Sequence, residues 1–317
     1  MDVTALERRI RQQVRDLDAM PFVFQKLVEV LNRPYPSPRE LGNIVATDQS
    51  LSIRVLRMVN SAAYGMTSQV SSVPQAVGLL GINVVRSLTF CMASYQSFFS
   101  GTDPFRNELW RHSLGCAVLS RRLAEALAIG PPEEVFVAGM LHDVGRAVLA
   151  KHLPRESRMV EARIARGVDP LEAELRVLGV AHPEVGAWAC EAWRLPDWLS
   201  HCVRFHHDPL GAGDHVQVAS LVHLADQLWL EAVNPADPEL GQFRSEVLPV
   251  LGLSTMQMDQ ALDTTCSELA ELESYMVGHP IQPFTPAAGA GALVGRHGPE
   301  SPITWQSAAG DVHAHIR

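Results

Sequence analysis

What the chain lacks narrows its class before any motif is read. It has five cysteines, an odd number, widely spaced and with no CxxC pair. Disulfide frameworks and zinc ribbons need closer, paired spacing, so these cysteines read as reduced, buried, small apolar residues of a cytosolic protein. No stretch of about 18 apolar residues runs without a charge, so no membrane span is expected. The richest stretch, AVGLLGINVVRSLTFCMA, is broken by Asn83 and Arg86. The opening residues, MDVTALERRIRQQVRD, are charged where a cleavable signal would be apolar, which points to a cytoplasmic location. Positive charge is also short. There are 26 Lys and Arg against 35 Asp and Glu, a formal charge of −9. Phosphate backbones need a positive face, so no specific nucleic-acid partner is expected beyond what a local basic patch could hold. Direct DNA binding is the weakest of the functions considered. Strand alternation is scarce, no Asn-Gly or Asp-Gly hairpin signal stands out, and no repeat is visible.

What remains is helical periodicity. At 317 residues and 47% apolar, the chain can build a large core in two lobes, or one domain with extensions. In MPFVFQKLVEVL, Phe24, Leu27, Val28 and Leu31 recur at one helix face. SPRELGNIVATD starts again with Ser37 as N-cap and Pro38 at the first helical position. DQSLSIRVLRMVNSAAYG follows, capped by Asp48 and ended by Gly65. Gly81 closes the short helix in SSVPQAVGLLG, and NVVRSLTFCMASYQSFF is apolar enough to be buried. Helices are predicted further along near 106–128, 133–150, 155–166, 170–178, 183–193, 196–206, 215–233 and 255–277. The fold class expected is all-α, a two-lobed helical bundle. Its parts are a lead-in over 1–16, a first lobe over 17–100, a second over 101–235 and a helical extension over 236–277. The extension is a candidate for self-association. Residues 278–317 are rich in Gly, Pro, Ala and Ser, bury too little apolar surface to offset ordering entropy, and are expected to be disordered.

Polar residues in these apolar helices carry the chemistry. His112 lies in NELWRHSLGCAVL, with Glu108 one turn earlier. His142 and Asp143 are adjacent in AGMLHDVGRAVL, and Arg146 follows one turn later. His182 opens HPEVGAWAC, His206 and His207 are adjacent in RFHHDP, and Asp226 sits in LVHLADQLWL. Imidazoles and carboxylates from separate helices can meet in a bundle interior and hold a divalent metal. An apolar helix tolerates a carboxylate poorly unless the charge is paired or bound to metal. A metal pair could clamp a phosphoryl oxygen, and Arg146 could meet a phosphate. Singly, each has an ordinary reading. Glu108 suits a solvated face, His207 can pair with Asp208, and His152, His201, His215 and His223 read as structural or surface residues.

The order His112, His142-Asp143, Asp226 resembles the HD-domain metal-dependent phosphohydrolases, and that resemblance implies metal binding at these positions. His182, His206 and His207 are similar to the added ligands of the HD-GYP branch, which hydrolyses cyclic di-GMP. Glu108 matches a position used in some of those centres. After His206-His207, however, comes DPLGAGDH, with no Tyr-Pro, and Arg146 stands where Lys is usual. The segments MPFVFQKLVEVL, IVATDQSLSIRVLRMVNSAAYG, VSSVPQAVGLLGINVVRSL, AGMLHDVGRAVL and HLADQL together resemble the HDOD domain, the HD-related output domain of bacterial signalling, over about residues 17 to 230. Two functions follow. One is a regulatory module that binds a signalling protein partner or a small ligand, and self-associates or not, around a mono- or dinuclear site for Fe, Mn, Zn or Ni. The other is a phosphohydrolase on a nucleotide or other phosphoester, with His142, Asp143, His182, His207 and Arg146 as its working residues.

Overall fold

A computed structural model describes residues 8–12, 14, 22–31, 33, 37–61, 64–99, 103–233 and 244–276. Among these no strand occurs, and the chain is all-α. The first lobe holds α1 (Phe22–Leu31), α2 (Pro38–Ala46), α3 (Gln49–Val59), α4 (Val73–Leu80) and α5 (Ile82–Ser94), which runs into a π-helical turn over Tyr95–Phe99. The second holds α6 (Pro104–Leu127), α7 (Pro132–Leu141), α8 (Val144–His152), α9 (Pro154–Ile164), α10 (Pro170–Leu178), α11 (His182–Ala192), α12 (Asp197–Phe205) and α13 (Val216–Val233). Two more helices follow, α14 (Arg244–Leu251) and α15 (Thr255–Met276). No helix is long and apolar enough to cross a membrane among the residues described. The expected disordered tail, 278–317, lies outside the described residues.

Local chemistry sets most helix ends. Asp48 caps α3 by accepting from the Leu51 amide at 2.9 Å, and Gly81, at φ +85°, closes α4. Ser37 holds the N-cap position of α2, but its side chain makes no cap bond; Pro38 at the first turn fixes the start. The structure corrects two boundaries. The helix expected to run to Gly65 stops at Val59. Asn60 ends it, because its side-chain amide bonds the Leu56 carbonyl at 2.7 Å and both backbone groups of Val70 at 2.7 and 2.8 Å. The single helix expected over 133–150 is two helices, broken at His142 and Asp143.

One continuous apolar core runs through both lobes, from Phe24, Leu27 and Phe90 to Leu114, Leu141 and Leu224. The lead-in joins it. Ile10 and Val14 are buried, Arg9 approaches Glu156 at 3.6 Å, and the Arg11 guanidinium lies 5.0 Å over the Trp188 ring. The helix α15 packs along α6 and α3, and its buried Glu268 pairs with Arg121 and Arg122 of α6. The extension over 244–276 is therefore part of the body.

Candidate metal centre

The break between α7 and α8 places the His-Asp pair. In an unbroken helix, neighbouring residues point about 100° apart. Asp143 instead adopts φ −98°, ψ 13°, the sparsely used bridge region, and its side chain is not spent on capping α8. Both side chains reach one interior point. Two close helix contacts bring the other ligands to it. A side chain at Gly139 would lie 2.8 Å from the Ala117 Cα, so its absence lets α7 press on α6 and sets His142 beside His112. A side chain at Gly145 would collide with the His182 carbonyl and lie 2.8 Å from the Gly186 amide nitrogen; without it, α8 and α11 touch and His182 meets Asp143.

Asp143 is the hub. Its Oδ1 lies 3.0 Å from His182 Nε2 and 3.7 Å from His206 Nε2. Its Oδ2 lies 3.7 Å from the Nε2 atoms of both His112 and His142. Asp226 Oδ1 stands 3.1 Å from His112 Nε2 and 3.9 Å from His142 Nε2. His207 Nε2 stands 3.2 Å from His182 Nε2. Three groups of potential ligand atoms result: His112, Cys116, His142 and Asp226; His182, His206 and His207; and His142, Asp143 and His206.

The hydrogen bonds behind the rings test whether this set fits a metal. His142 Nδ1 faces the Gly139 carbonyl and His206 Nδ1 faces the Val203 carbonyl, each at 2.7 Å. A carbonyl can only accept, so Nδ1 carries the proton in both, and each neutral ring turns a bare Nε2 inward. His182 Nδ1 is held by Glu174 at 2.8 Å. The inward Nε2 atoms then face one another, at 3.1 Å for His112 and His142 and 3.3 Å for His182 and His206. Each close pair needs one cation between its rings, either a proton carried by His112 or His182 or a metal ion. Two imidazoles bound to one tetrahedral ion at 2.0–2.1 Å would sit about 3.3 Å apart. The residues fit a divalent metal. Two sets meeting at the two oxygens of one carboxylate fit a pair of ions.

The electrostatics agree. Burial would raise Asp143, but Arg146, His142 and His182 outweigh it and hold the carboxyl well below its ordinary value. Asp226 is likewise pushed down by His112, against burial, to about 2. Burial drives His206 and His207 far down, and His142 down as well, which keeps them neutral as metal ligands must be. Only His182 is raised, because Glu174 and Asp143 outweigh its burial.

The structure brings His112, His142, Asp143, His182, His206, His207 and Asp226 together. Glu108, half-buried one turn before His112, is in none of the three groups. Arg146 is directed at carboxylates, 3.4 Å from Asp143 Oδ2 and 3.8 Å from Glu174 Oε1. His223 is structural as expected, donating from Nδ1 to the His206 carbonyl at 2.7 Å. The exposed His201 bonds its own helix at the Asp197 carbonyl. Sequence reasoning missed Cys116 and Glu174. Cys116 lies one turn after His112, with Sγ 3.6 Å from its Nε2, and that i, i+4 spacing was its signal. Glu174 shares a helix face with the buried Pro170, Ala173, Val177 and Leu178, while Glu172 lies off that face and is exposed, and that spacing was its signal.

An all-helical bundle that gathers a His, a His-Asp pair, three more His and an Asp in its interior has the build of the HD superfamily. Residues 17–209 match the HDOD domain, and the chain belongs to that family. Its helices superpose on those of an HDOD domain protein of unknown function from Geobacter sulfurreducens, with 26% identity, a TM-score of 0.68, and 86% of this chain and 96% of that one covered. A candidate phosphohydrolase from Shewanella amazonensis SB2B shares the fold at a TM-score of 0.71 and 24% identity, over 84% of this chain and 98% of the other. An uncharacterized protein of Treponema pallidum (strain Nichols) is 24% identical over 271 residues, which are 84% of this chain and 51% of that protein. The chain thus spans about half the length of that relative.

Proposed function

We propose that the chain is a regulatory output module of bacterial signalling, acting through a protein partner or a small ligand, with a resident divalent metal centre that holds its shape. The observation that carries this reading is enclosure. His112, His142, Asp143, His182, His206 and Asp226 each expose 4% or less of their surface, and His207 is half-buried. A structural metal site is closed by its ligands, whereas a catalytic one keeps a position open for water or substrate. Fe, Mn, Zn or Ni suits imidazole and carboxylate donors, as one ion or two. The five cysteines are all free and buried, in keeping with a reducing cytoplasm. Self-association of the helical body fits a module of this kind.

A second reading is favoured by one feature. The two oxygens of Asp143 face different histidine sets, as in two-metal centres that hydrolyse phosphoesters. A metal-dependent phosphohydrolase would use that pair. Cyclic di-GMP is the less suited substrate, since no Tyr-Pro follows His207. Purified chain loaded with Mn, Fe, Zn or Ni and assayed against nucleotides and bis(p-nitrophenyl) phosphate separates the two. Retained metal without turnover is expected. Turnover that Asp143→Ala abolishes would overturn the regulatory reading.

A further inference from the structure

Arg86 is a buried cation with too few partners. It interrupts the most apolar stretch of the sequence, lies on α5, and is 6% exposed. Its Nε is sealed from solvent and makes no hydrogen bond. The nearest carboxylate oxygen, Glu134 Oε1, stands 3.9 Å from Nη2, beyond hydrogen-bond reach. Burial lowers its pKa, and Glu134 and Glu133 only partly oppose that. A buried charge left like this costs several kcal/mol, roughly, unless something else meets it.

What the guanidinium faces is a narrow hollow where α5, α7 and α12 meet, walled by Ser87, Glu133, Glu134 and Trp198. The Ser87 hydroxyl shares its one proton between the carbonyls of Asn83 and Glu133, at 3.0 and 3.2 Å, and Glu133 Oε1 faces Arg121 at 3.7 Å. Glu133 Oε2 is buried and makes no hydrogen bond. A second, broader hollow also borders Glu134 and Trp198 and is lined by Cys202 and His215 as well. The narrow hollow on Arg86 has room for a small polar head.

The donors choose the head. One planar guanidinium matches one carboxylate through two parallel N–H bonds. A phosphate dianion asks for more donors, and the nearby start of α7 is Pro131-Pro132, which has no N–H to give. Glu134 alongside also favours a single negative charge over two. We propose that the junction of α5, α7 and α12 binds a small organic monocarboxylate, with its head on Arg86 and its apolar body along Trp198. The site joins a helix of the first lobe to two of the second, so its occupant bears on how the lobes pack. It stands independently of what the metal centre does.

Thermal melting of the full chain with benzoate, hexanoate and indole-3-acetate, at constant ionic strength, tests this. At least one carboxylate should raise Tm in a saturable way by about 10 mM, and inorganic phosphate should not. Arg86→Met should abolish that rise. Ligand-free, it should melt no lower than the parent, because methionine removes an uncompensated charge. Glu134→Gln should bind the same carboxylate roughly threefold to tenfold more tightly, since a like charge is gone. The proposal fails if no carboxylate raises Tm, if phosphate matches it, or if Arg86→Met keeps the rise. Should Arg86→Met not fold, Glu134→Gln decides: tighter binding supports the site, and unchanged or weaker binding overturns it.

Discussion

The backbone of His182 occupies the space that a side chain at Gly145 would need. Its carbonyl oxygen and the Gly186 amide nitrogen both lie within contact of that position, so α8 and α11 meet main chain to main chain. This contact sets His182 Nε2 3.0 Å from Asp143 Oδ1 and completes the second half of the cluster.

Gly145→Ala should therefore act on both stability and metal. One methyl forced between two backbones costs about 1–3 kcal/mol or somewhat more, because neither side is a flexible side chain that can turn away. The helices must separate, and His182 moves with α11. Denaturant unfolding should show the lost stability, and metal analysis should show the His182, His206 and His207 set emptied while the His112 side keeps its ion. Full metal content at parental stability would mean that the contact does not position the site.

The two-set geometry makes a second, sharper prediction about stoichiometry. His112→Ala removes a ligand from one set only, and His207→Ala from the other only. On the two-ion form of the proposal, each should leave one tightly held ion per chain. Asp143→Ala removes an oxygen from both sets and should leave none. Elemental analysis with a chelator-competition titration reads all three. Equal losses in the three variants would point to a single shared ion.

Much of this cluster was legible in the sequence, for a physical reason. A carboxylate in a helix such as LVHLADQLWL has no water to face, so Asp226 stands out against its neighbours. The same holds for the His-Asp pair in AGMLHDVGRAVL. Cys116 does not stand out, because a buried thiol is an ordinary core residue until a histidine is seen beside it. The break at His142 and Asp143 was hidden too, since apolar spacing continues across it. The stop at Asn60 depends on a partner ten residues away, Val70, which no local pattern announces. Pro249 argues against a helix, yet α14 contains it.

Protons and metal compete for this cluster, and the sign of the pH dependence follows from its histidines. His142, His206 and His207 are lowered in the native chain, chiefly by burial. Once unfolded they take up protons near pH 6.5 that the native state refuses, so stability falls as pH drops through that range. His182 is raised, so its contribution is fully present below about 6.5 and is lost as pH rises through its native value. Asp143 and Asp226, both lowered, contribute stability that is present above about pH 4 and lost only as pH falls toward their native values. Three histidines against one set the balance. The metal-free protein should lose stability from pH 7 to pH 5.5, by at most about 1.4 kcal/mol per pH unit for each net proton. Melting curves of chelator-treated protein across that range should show Tm falling with pH. A flat or rising Tm would contradict the assignment.

Glu174 touches no candidate metal position, yet it orients one. Its Oε2 accepts from the His182 backbone amide at 2.7 Å and from His182 Nδ1 at 2.8 Å, which fixes the ring with Nε2 inward. It also shares Arg146 with Asp143. Glu174→Gln keeps the size and one acceptor but removes the charge that makes the ring a stronger base. At pH 8, affinity for the ion on the His182 side should fall about 10–100-fold, the usual effect of losing such a support. At pH 6 the deficit should shrink. Without Glu174, His182 holds its proton less firmly, so less proton competition opposes the metal. Titrations at both values read the two effects separately. A loss of equal size at pH 6 and pH 8 would show that Glu174 only positions the ring and does not tune its basicity.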